Sequence, residues 1–290
     1  MDRAGELRNN PARLEELWRS AQIIEVGKGR IRSTIEGPLF IPAAKAIGGE
    51  RYFLGIDRAS DTPYFAWASG SVVSDVEDYL TLRELAGGLS PLHLEISMHA
   101  IALSNWHDAH PHCSKCGAKT RVDLGGAVRV CDVDESQHHP RTDAAVIVLV
   151  KDRADRILLG HQPVWPDGRF STFAGFLEPG ETFEQCVARE VFEEAGVKLT
   201  QVKYLGSQPW PFPASVMIAF EALTDAPDAA RPDGEEITEV RWFSRTELEA
   251  AAEDGSLLLP PKVSVARRMI EGWLGETSLD ASKLAGETWR

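Results

Sequence analysis

Basic residues are in deficit: 31 lysines and arginines stand against 44 aspartates and glutamates, a net charge of −13. Broad sequence-independent binding to nucleic acid needs many cations on phosphates, so this balance argues against it. It leaves room for a local basic patch, or for a phosphate compound held through metal ions. Long apolar runs are also missing. No stretch approaches the ~18 residues that span a bilayer, and the opening MDRAGELRNNPARLEELWRS is charged where a secretory leader would be apolar. A cytoplasmic protein with no membrane partner is expected. Cysteine is scarce, four in 290 residues. Cys113, Cys116 and Cys131 cluster and Cys186 stands apart; in a cytosolic chain that spacing suggests a metal rather than disulfides. The length is soft evidence for two domains and is ample for a large core. Internal repeats and long low-complexity tracts are absent.

What is present alternates between strand and helix signals. Residues 1–106 read as a mixed α/β region, with strand-like runs at Arg51–Ile56 and Tyr64–Ser69. Between Pro91 and Trp106, Leu92, Ile96, Ala100 and Leu103 recur at helical spacing. Residues 107–141 are rich in Cys and His around Gly125-Gly126, the pattern of two knuckles joined by a hairpin. Further on, strands are predicted at Ala144–Val150, Arg156–His161, Val202–Gln208, Val216–Leu223 and Val240–Phe243. Helices are predicted from Thr246 and from near Val263. Asp225–Glu236 is a polar loop by composition.

The strongest signal is GFLEPGETFEQCVAREVFEEAGV, Gly175–Val197. Thr182 followed by Gln185 is a capping box, so a helix is predicted from about Phe183. Phe183, Val187 and Val191 give its buried stripe, and Gly196 is placed to end it in the left-handed conformation. Cys186 lies near that buried face and reads as core. Glu190, Glu193 and Glu194, at i, i+3 and i+4, present oxygens on one side, and Glu181 in the preceding loop can reach the same place. Carboxylates this close repel, more strongly in a cleft than in water. A hard divalent cation relieves that repulsion, and Mg²⁺ favours a few carboxylates with water and phosphate oxygens. Arg189 is placed to tether one of the carboxylates. A Glu-Glu pair alone reads as a solvated face; the complete pattern is much longer than a pair.

That pattern is Gly175, five residues, Glu181, seven residues, Arg189-Glu190, Val191, one residue, Glu193-Glu194, one residue, Gly196, Val197. It matches the Nudix box at each defined position, so the chain resembles the Nudix hydrolases. The resemblance implies an α/β/α sandwich on a mixed sheet and hydrolysis of a nucleoside diphosphate linked to another moiety. It implies two to three Mg²⁺ or Mn²⁺ ions per site. By position, Glu190 and Glu194 would be metal ligands, and Glu193 a ligand or the group that activates water. Glu181 would lie just outside them or bind an additional ion, and the backbone carbonyl of Ala174 would join the coordination. Glu193, Glu194 and Arg189 are the expected catalytic residues, and the choice between Glu193 and Glu194 for the proton stays open.

Downstream, Ser207-Gln208-Pro209-Trp210-Pro211-Phe212-Pro213-Ala214-Ser215 places three prolines in five residues. Such a loop is rigid and has little entropy to lose on binding. Trp210 and Phe212 suit stacking on a base or nicotinamide ring, though aromatics equally suit a core. The run SQPWPFPxS resembles the signature of the NADH pyrophosphatase subfamily, built in the order N-terminal domain, zinc ribbon, Nudix domain. The implied boundaries are 1–106, 107–141 and 142–290, and the implied fold is mixed α/β, a Nudix sandwich preceded by a zinc-ribbon-like segment and a smaller N-terminal α/β domain. By position, Phe176 and Gln208 to Ser215 would bind substrate, with Phe176 and Trp210 on a ring. Glu236 would be a distal metal ligand or a loop charge beside Asp233. The backbone of Ala266 would meet the substrate. Arg83 would be an N-terminal substrate contact or a surface residue. His139, where related sequences often place Tyr before Pro-Arg, would flank the substrate or lie free in its loop.

Cys113-x2-Cys116, then fourteen residues, then Cys131 fits ribbon spacing. The fourth Cys of the pattern is missing; Asp134 stands in its place, with His138 nearby. Three readings stand: zinc on three Cys with Asp134 or a His, a hairpin that has lost its zinc, or a redox role for the thiols. The reaction implied is NAD(H) plus water giving AMP and nicotinamide mononucleotide. The alternatives are removal of NAD caps from RNA 5′ ends, helped by a cleft lined with Lys262, Arg267 and Arg268, hydrolysis of another dinucleotide such as ADP-ribose or a diadenosine polyphosphate, and an inactive nucleotide sensor, which the intact box disfavours. Analogy implies a homodimer.

Overall fold

The computed structural model describes residues 1–70, 78–85 and 87–275. The chain divides into two units, Met1–Thr142 with Trp210–Ala214, and Asp143–Pro209 with Ser215–Arg290.

In the first unit, helix α1 (Pro11–Ser20) starts at Asn10, whose side chain accepts the Arg13 N–H, with proline in its first turn. Strands β1 (Gln22–Gly27), β2 (Arg30–Thr34), β3 (Gly37–Pro38), β4 (Phe40–Ile41), β5 (Glu50–Asp57), β6 (Thr62–Ala68) and β7 (Tyr79–Thr81) follow. They form a sheet of order β3-β2-β1-β6-β5, with β4 on β1 and β7 on β2. β1 and β6 run parallel, with Ile23 opposite Phe65. Trp18, Ile23, Phe53, Phe65 and Trp67 share one core cluster with Leu17 of α1. After the short α2 (Leu82–Leu85), the long α3 (Pro91–Ala109) packs against β1, β5 and β6. Ser90 caps α3 by accepting the His93 N–H.

The Cys/His-rich segment is the predicted hairpin: β8 (Thr120–Asp123) and β9 (Val128–Cys131), with β10 (Gln137–His138) beside β9. Gly126 in its turn has φ +91°, and a Cβ there would lie 2.9 Å from Tyr52, so only glycine lets the turn approach β5 this closely. Buried Arg129 of β9 then ties the hairpin down. It donates to Thr120 Oγ1 at 2.7 Å, to Thr120 O at 3.0 Å, to His107 Nδ1 at 2.9 Å and to Glu50 at 3.3 Å. Arginine has only donors, so His107 accepts at Nδ1 and its Nε2–H donates to Gly126 O at 2.9 Å. Burial holds His107 down to about 4, hence neutral, and its ring stacks on Tyr52 at 4.1 Å.

The second unit is a six-stranded mixed sheet: β11 (Asp143–Lys151), β12 (Ile157–His161), β13 (Phe173–Phe176), β14 (Gln201–Trp210), β15 (Ser215–Leu223) and β16 (Glu239–Phe243). The order is β14-β15-β11-β12-β16, with β13 on β11. β11 is parallel to β15, Val146 opposite Ile218, and antiparallel to β13, Ile147 opposite Ala174. Alternation along β11 separates two cores. Val146, Val148 and Val150 pack with Cys186, Val187 and Val191 of α4 (Phe183–Ala195). Ile147 and Leu149 pack with Leu248 of α5 (Arg245–Glu253) and Ile270 and Trp273 of α6 (Val265–Leu274). A mixed sheet with helices on both faces is the expected α/β/α sandwich. Among the described residues no helix is long and apolar enough to cross a membrane.

Candidate active site

The local code of α4 is realised in full. Thr182 accepts the Gln185 N–H at 3.2 Å, the Gln185 side chain accepts the Thr182 N–H at 2.8 Å, and Gly196 closes the helix at φ +70°. The helix turns Cys186, Val187 and Val191 inward and sets Glu190 and Glu194 against β13, at Gly175 and Ala174. Arg189, expected to tether one carboxylate, holds three. Its Nε and Nη2 clasp Glu181 at 2.7 and 2.9 Å, and its Nη1 reaches Glu190 at 2.8 Å and Glu193 at 3.0 Å. Arg189 holds Glu181 down to about 2, and the guanidinium is itself driven above its ordinary value, first by Glu181. Its Nη2 also donates to Phe176 O at 3.0 Å, which fixes the strand end whose ring is 59% exposed.

Glu190 fills the space over Gly175. A Cβ at 175 would fall 1.9 Å from its carboxyl carbon, so the box glycine is where the carboxylate lies. Glu194 is 4% exposed and its Oε2 has no hydrogen-bond partner. Burial first, then the charges of Glu236 and Glu190, push it up to about 8, against a backbone hydrogen bond from Ala174. Burial also raises Glu190. Glu236, expected as a distant member, thus acts on both glutamates, while Glu193 is the most exposed of the helix glutamates bound to Arg189, at 57%. An orphaned buried carboxylate oxygen facing charges of its own sign fits a hard divalent cation, which supplies the missing positive charge. Glu190, Glu194 and Glu236 are the carboxylates that could hold it, with the Ala174 backbone already hydrogen-bonded to Glu194.

Asp233 is a contributor that the sequence reading passed over. Its carboxylate accepts the N–H groups of Glu235, Glu236 and Ile237 at 3.1, 3.3 and 2.8 Å and so sets the turn that carries Glu236. Asp before Gly in a polar loop is the signal that could have found it.

The signature loop divides its work. Gln208 is buried and both ends of its carboxamide are engaged within the protein, Nε2 on Val263 O and Oε1 on Val265 N–H, each at 2.8 Å. Ser215 is buried at the start of β15. Between them Trp210 and Phe212 meet edge to face at 5.0 Å, Phe212 N–H donates to Trp210 O at 2.7 Å, and the Phe212–Pro213 peptide is cis. Pro209 is exposed, Pro211 buried and Ala214 half-buried. The Arg83 guanidinium lies over the Phe212 ring at 4.5 Å, which joins the expected N-terminal arginine to the loop. His139 is exposed. Ala266 is buried in the first turn of α6 with its N–H on Ser264 Oγ at 3.1 Å, so that amide is already committed. Arg267 corrects the basic cleft expected with Lys262 and Arg268. It is fully buried and its Nε donates to Glu271 at 2.7 Å, so it lines no surface.

In the hairpin segment, Cys113, Cys116, Cys131 and Asp134 bring ligand atoms within 4.8 Å of one another. Cys116 and Cys131 sulfurs are 3.5 Å apart, and Cys113 Sγ is 4.0 Å from Asp134 Oδ2. A tetrahedron with metal–sulfur bonds of about 2.3 Å has edges of about 3.8 Å, so the spacing fits a tetrahedral metal. Backbone N–H groups of Lys115, Val133 and Asp134 aim at the sulfurs. His138 touches Ser136 at 3.3 Å and stays outside the group of four.

A family model described as NUDIX domain matches residues 140–260. The chain belongs to the Nudix hydrolases, in the group of the NADH pyrophosphatases. A Mycobacterium bovis protein named "NAD-capped RNA hydrolase NudC" is 36% identical over 287 residues, covering 94% of this chain and 92% of its own. Proteins of the same name from Stutzerimonas stutzeri and Vibrio cholerae are 36% and 33% identical, each across 78% of this chain and across 74% and 79% of their own length.

Proposed function

We propose that this enzyme hydrolyses the diphosphate bond of NAD(H), releasing AMP and nicotinamide mononucleotide. One observation carries the reading: Glu194 is buried with an unpartnered oxygen and is pushed up by that burial and by the charges of Glu236 and Glu190. A site of this kind gains from divalent cations and from the phosphates they bridge. The signature loop and the names of the relatives support NAD as the dinucleotide. When bound, Mg²⁺ or Mn²⁺ neutralises charge on the diphosphate and makes water more acidic. The chain's own groups do the rest. Glu190, Glu194, Glu236 and the Ala174 backbone would hold the cations. Arg189 keeps Glu181, Glu190 and Glu193 in register. Exposed Glu193, or Glu194, takes the proton. Phe176, exposed at the end of β13, offers a face to a substrate ring.

The relatives' names favour a second substrate, NAD at the 5′ end of RNA, through the same bond. Turnover on free NADH, NAD⁺, ADP-ribose and NAD-capped RNA, side by side in Mn²⁺, decides. Cleavage of NADH or capped RNA to a nicotinamide mononucleotide product supports the proposal, and cleavage of ADP-ribose alone removes it. The same proposal assigns a structural Zn²⁺ to Cys113, Cys116, Cys131 and Asp134, the domain boundaries 1–106, 107–141 and 142–290, and a cytoplasmic homodimer, whose mass light scattering measures.

A further inference from the structure

The Pro209–Pro213 segment poses a problem of hydrogen-bond supply. Proline has a carbonyl but no N–H. Within these five residues only Trp210 and Phe212 carry amides, and the Phe212 amide is spent on Trp210 O. The segment therefore has almost no donors with which to fasten itself, and what holds it needs to donate to its carbonyls. Asn105, on α3 of the first unit, does so. Its Nδ2 donates to Pro213 O at 3.0 Å and to Pro211 O at 3.3 Å. An amide nitrogen has two N–H groups, and both find a proline carbonyl. Between those two prolines, Phe212 lies under Arg83 and against Trp210. The loop tip Trp210–Ala214 accordingly groups with the first unit although its flanking strands belong to the second.

We infer that Asn105 is a positioning residue for dinucleotide binding: its carboxamide fixes the proline carbonyls and thereby the ring of Trp210. The inference rests on the proposed function for its kinetic consequence and on the geometry alone for its structural one. Aspartate at 105 keeps the shape but offers two acceptors to two carbonyls, so it should fail as alanine does. Glutamine keeps the donors and should restore part of the effect.

Two measurements on the full chain test this. In hydrogen exchange of the free protein, the amides of Trp210, Phe212 and Ala214 should exchange about tenfold faster in Asn105→Ala and Asn105→Asp, with β11 and α4 unchanged. Unchanged loop exchange overturns the anchoring. In steady-state kinetics on NADH, Asn105→Ala should raise KM about tenfold with kcat within about threefold, and Asn105→Gln should recover part of it. Combined with Trp210→Ala, Asn105→Ala should add little, because both act through one ring. Multiplying effects, or an unchanged KM, overturn the positioning role. If the wild-type enzyme cleaves neither NADH nor capped RNA, the proposed function fails, and the exchange measurement still decides the anchoring.

Discussion

Glu194 concentrates the tension of the site in one side chain. Its folded-state value, pushed up to about 8 by burial and by Glu236 and Glu190, lies above that of an unfolded glutamate. At this side chain the folded state therefore holds more of a proton than the unfolded chain from about pH 4.5 to 8, and in the absence of divalent metal the Glu194 contribution to stability falls as pH rises through that window, while buried His107, held down to about 4, contributes in the opposite direction below about pH 6.5. Measured without Mg²⁺ and relative to Glu194→Gln, the melting temperature should shift down by several degrees between pH 5 and pH 8, and millimolar Mg²⁺ should restore more at pH 8 than at pH 5. Glu194→Gln should flatten this pH dependence. It should also lower turnover by at least about a hundredfold while circular dichroism stays unchanged. Near-normal turnover would take Glu194 out of the chemistry.

Helix α4 and strand β13 work as one element. The capping box holds the helix start, and Thr182→Ala should cost about 1 kcal/mol in urea unfolding with little change in KM. Gly175→Ala should behave in the opposite way. Its methyl group would sit in the Glu190 carboxylate, whose far end can swing aside, so the fold should survive and metal-dependent activity should fall steeply. These features were legible in sequence because they are local: a capping box, a helical stripe and a terminal glycine need only near neighbours. The strand Phe173–Phe176 was not foreseen, since four residues that include a glycine carry no period of their own and are strand only because β11 lies alongside, with Ile147 opposite Ala174. The same limit hid β1 and α1, whose burial comes from distant partners such as Phe65. Asn105 was hidden more deeply, because nothing in a helical pattern announces a side chain that serves residues more than a hundred positions downstream.

The whole chain joins two metal problems of different chemistry. Glutamates suit a hard, exchangeable cation; three thiols and Asp134 suit zinc, less softly than four thiols would. Metal analysis should find about one zinc per chain. Asp134→Ala should weaken its retention against a chelator more than His138→Ala does, because Asp134 belongs to the converging set and His138 lies outside it. A protein with no zinc as isolated would remove that ion from the proposal. The missing fourth cysteine was plain in the sequence, whereas the choice between Asp134 and His138 needed distances.

Arg129 suggests why such a replacement is survivable. Five hydrogen bonds from one buried guanidinium, to Thr120, His107 and Glu50, clamp the hairpin to a rigid floor irrespective of any ion. The knuckle is thus buttressed from beneath. Loss of the ion should loosen its tip without letting the ribbon come away, and the cysteine cluster gains latitude to change its chemistry.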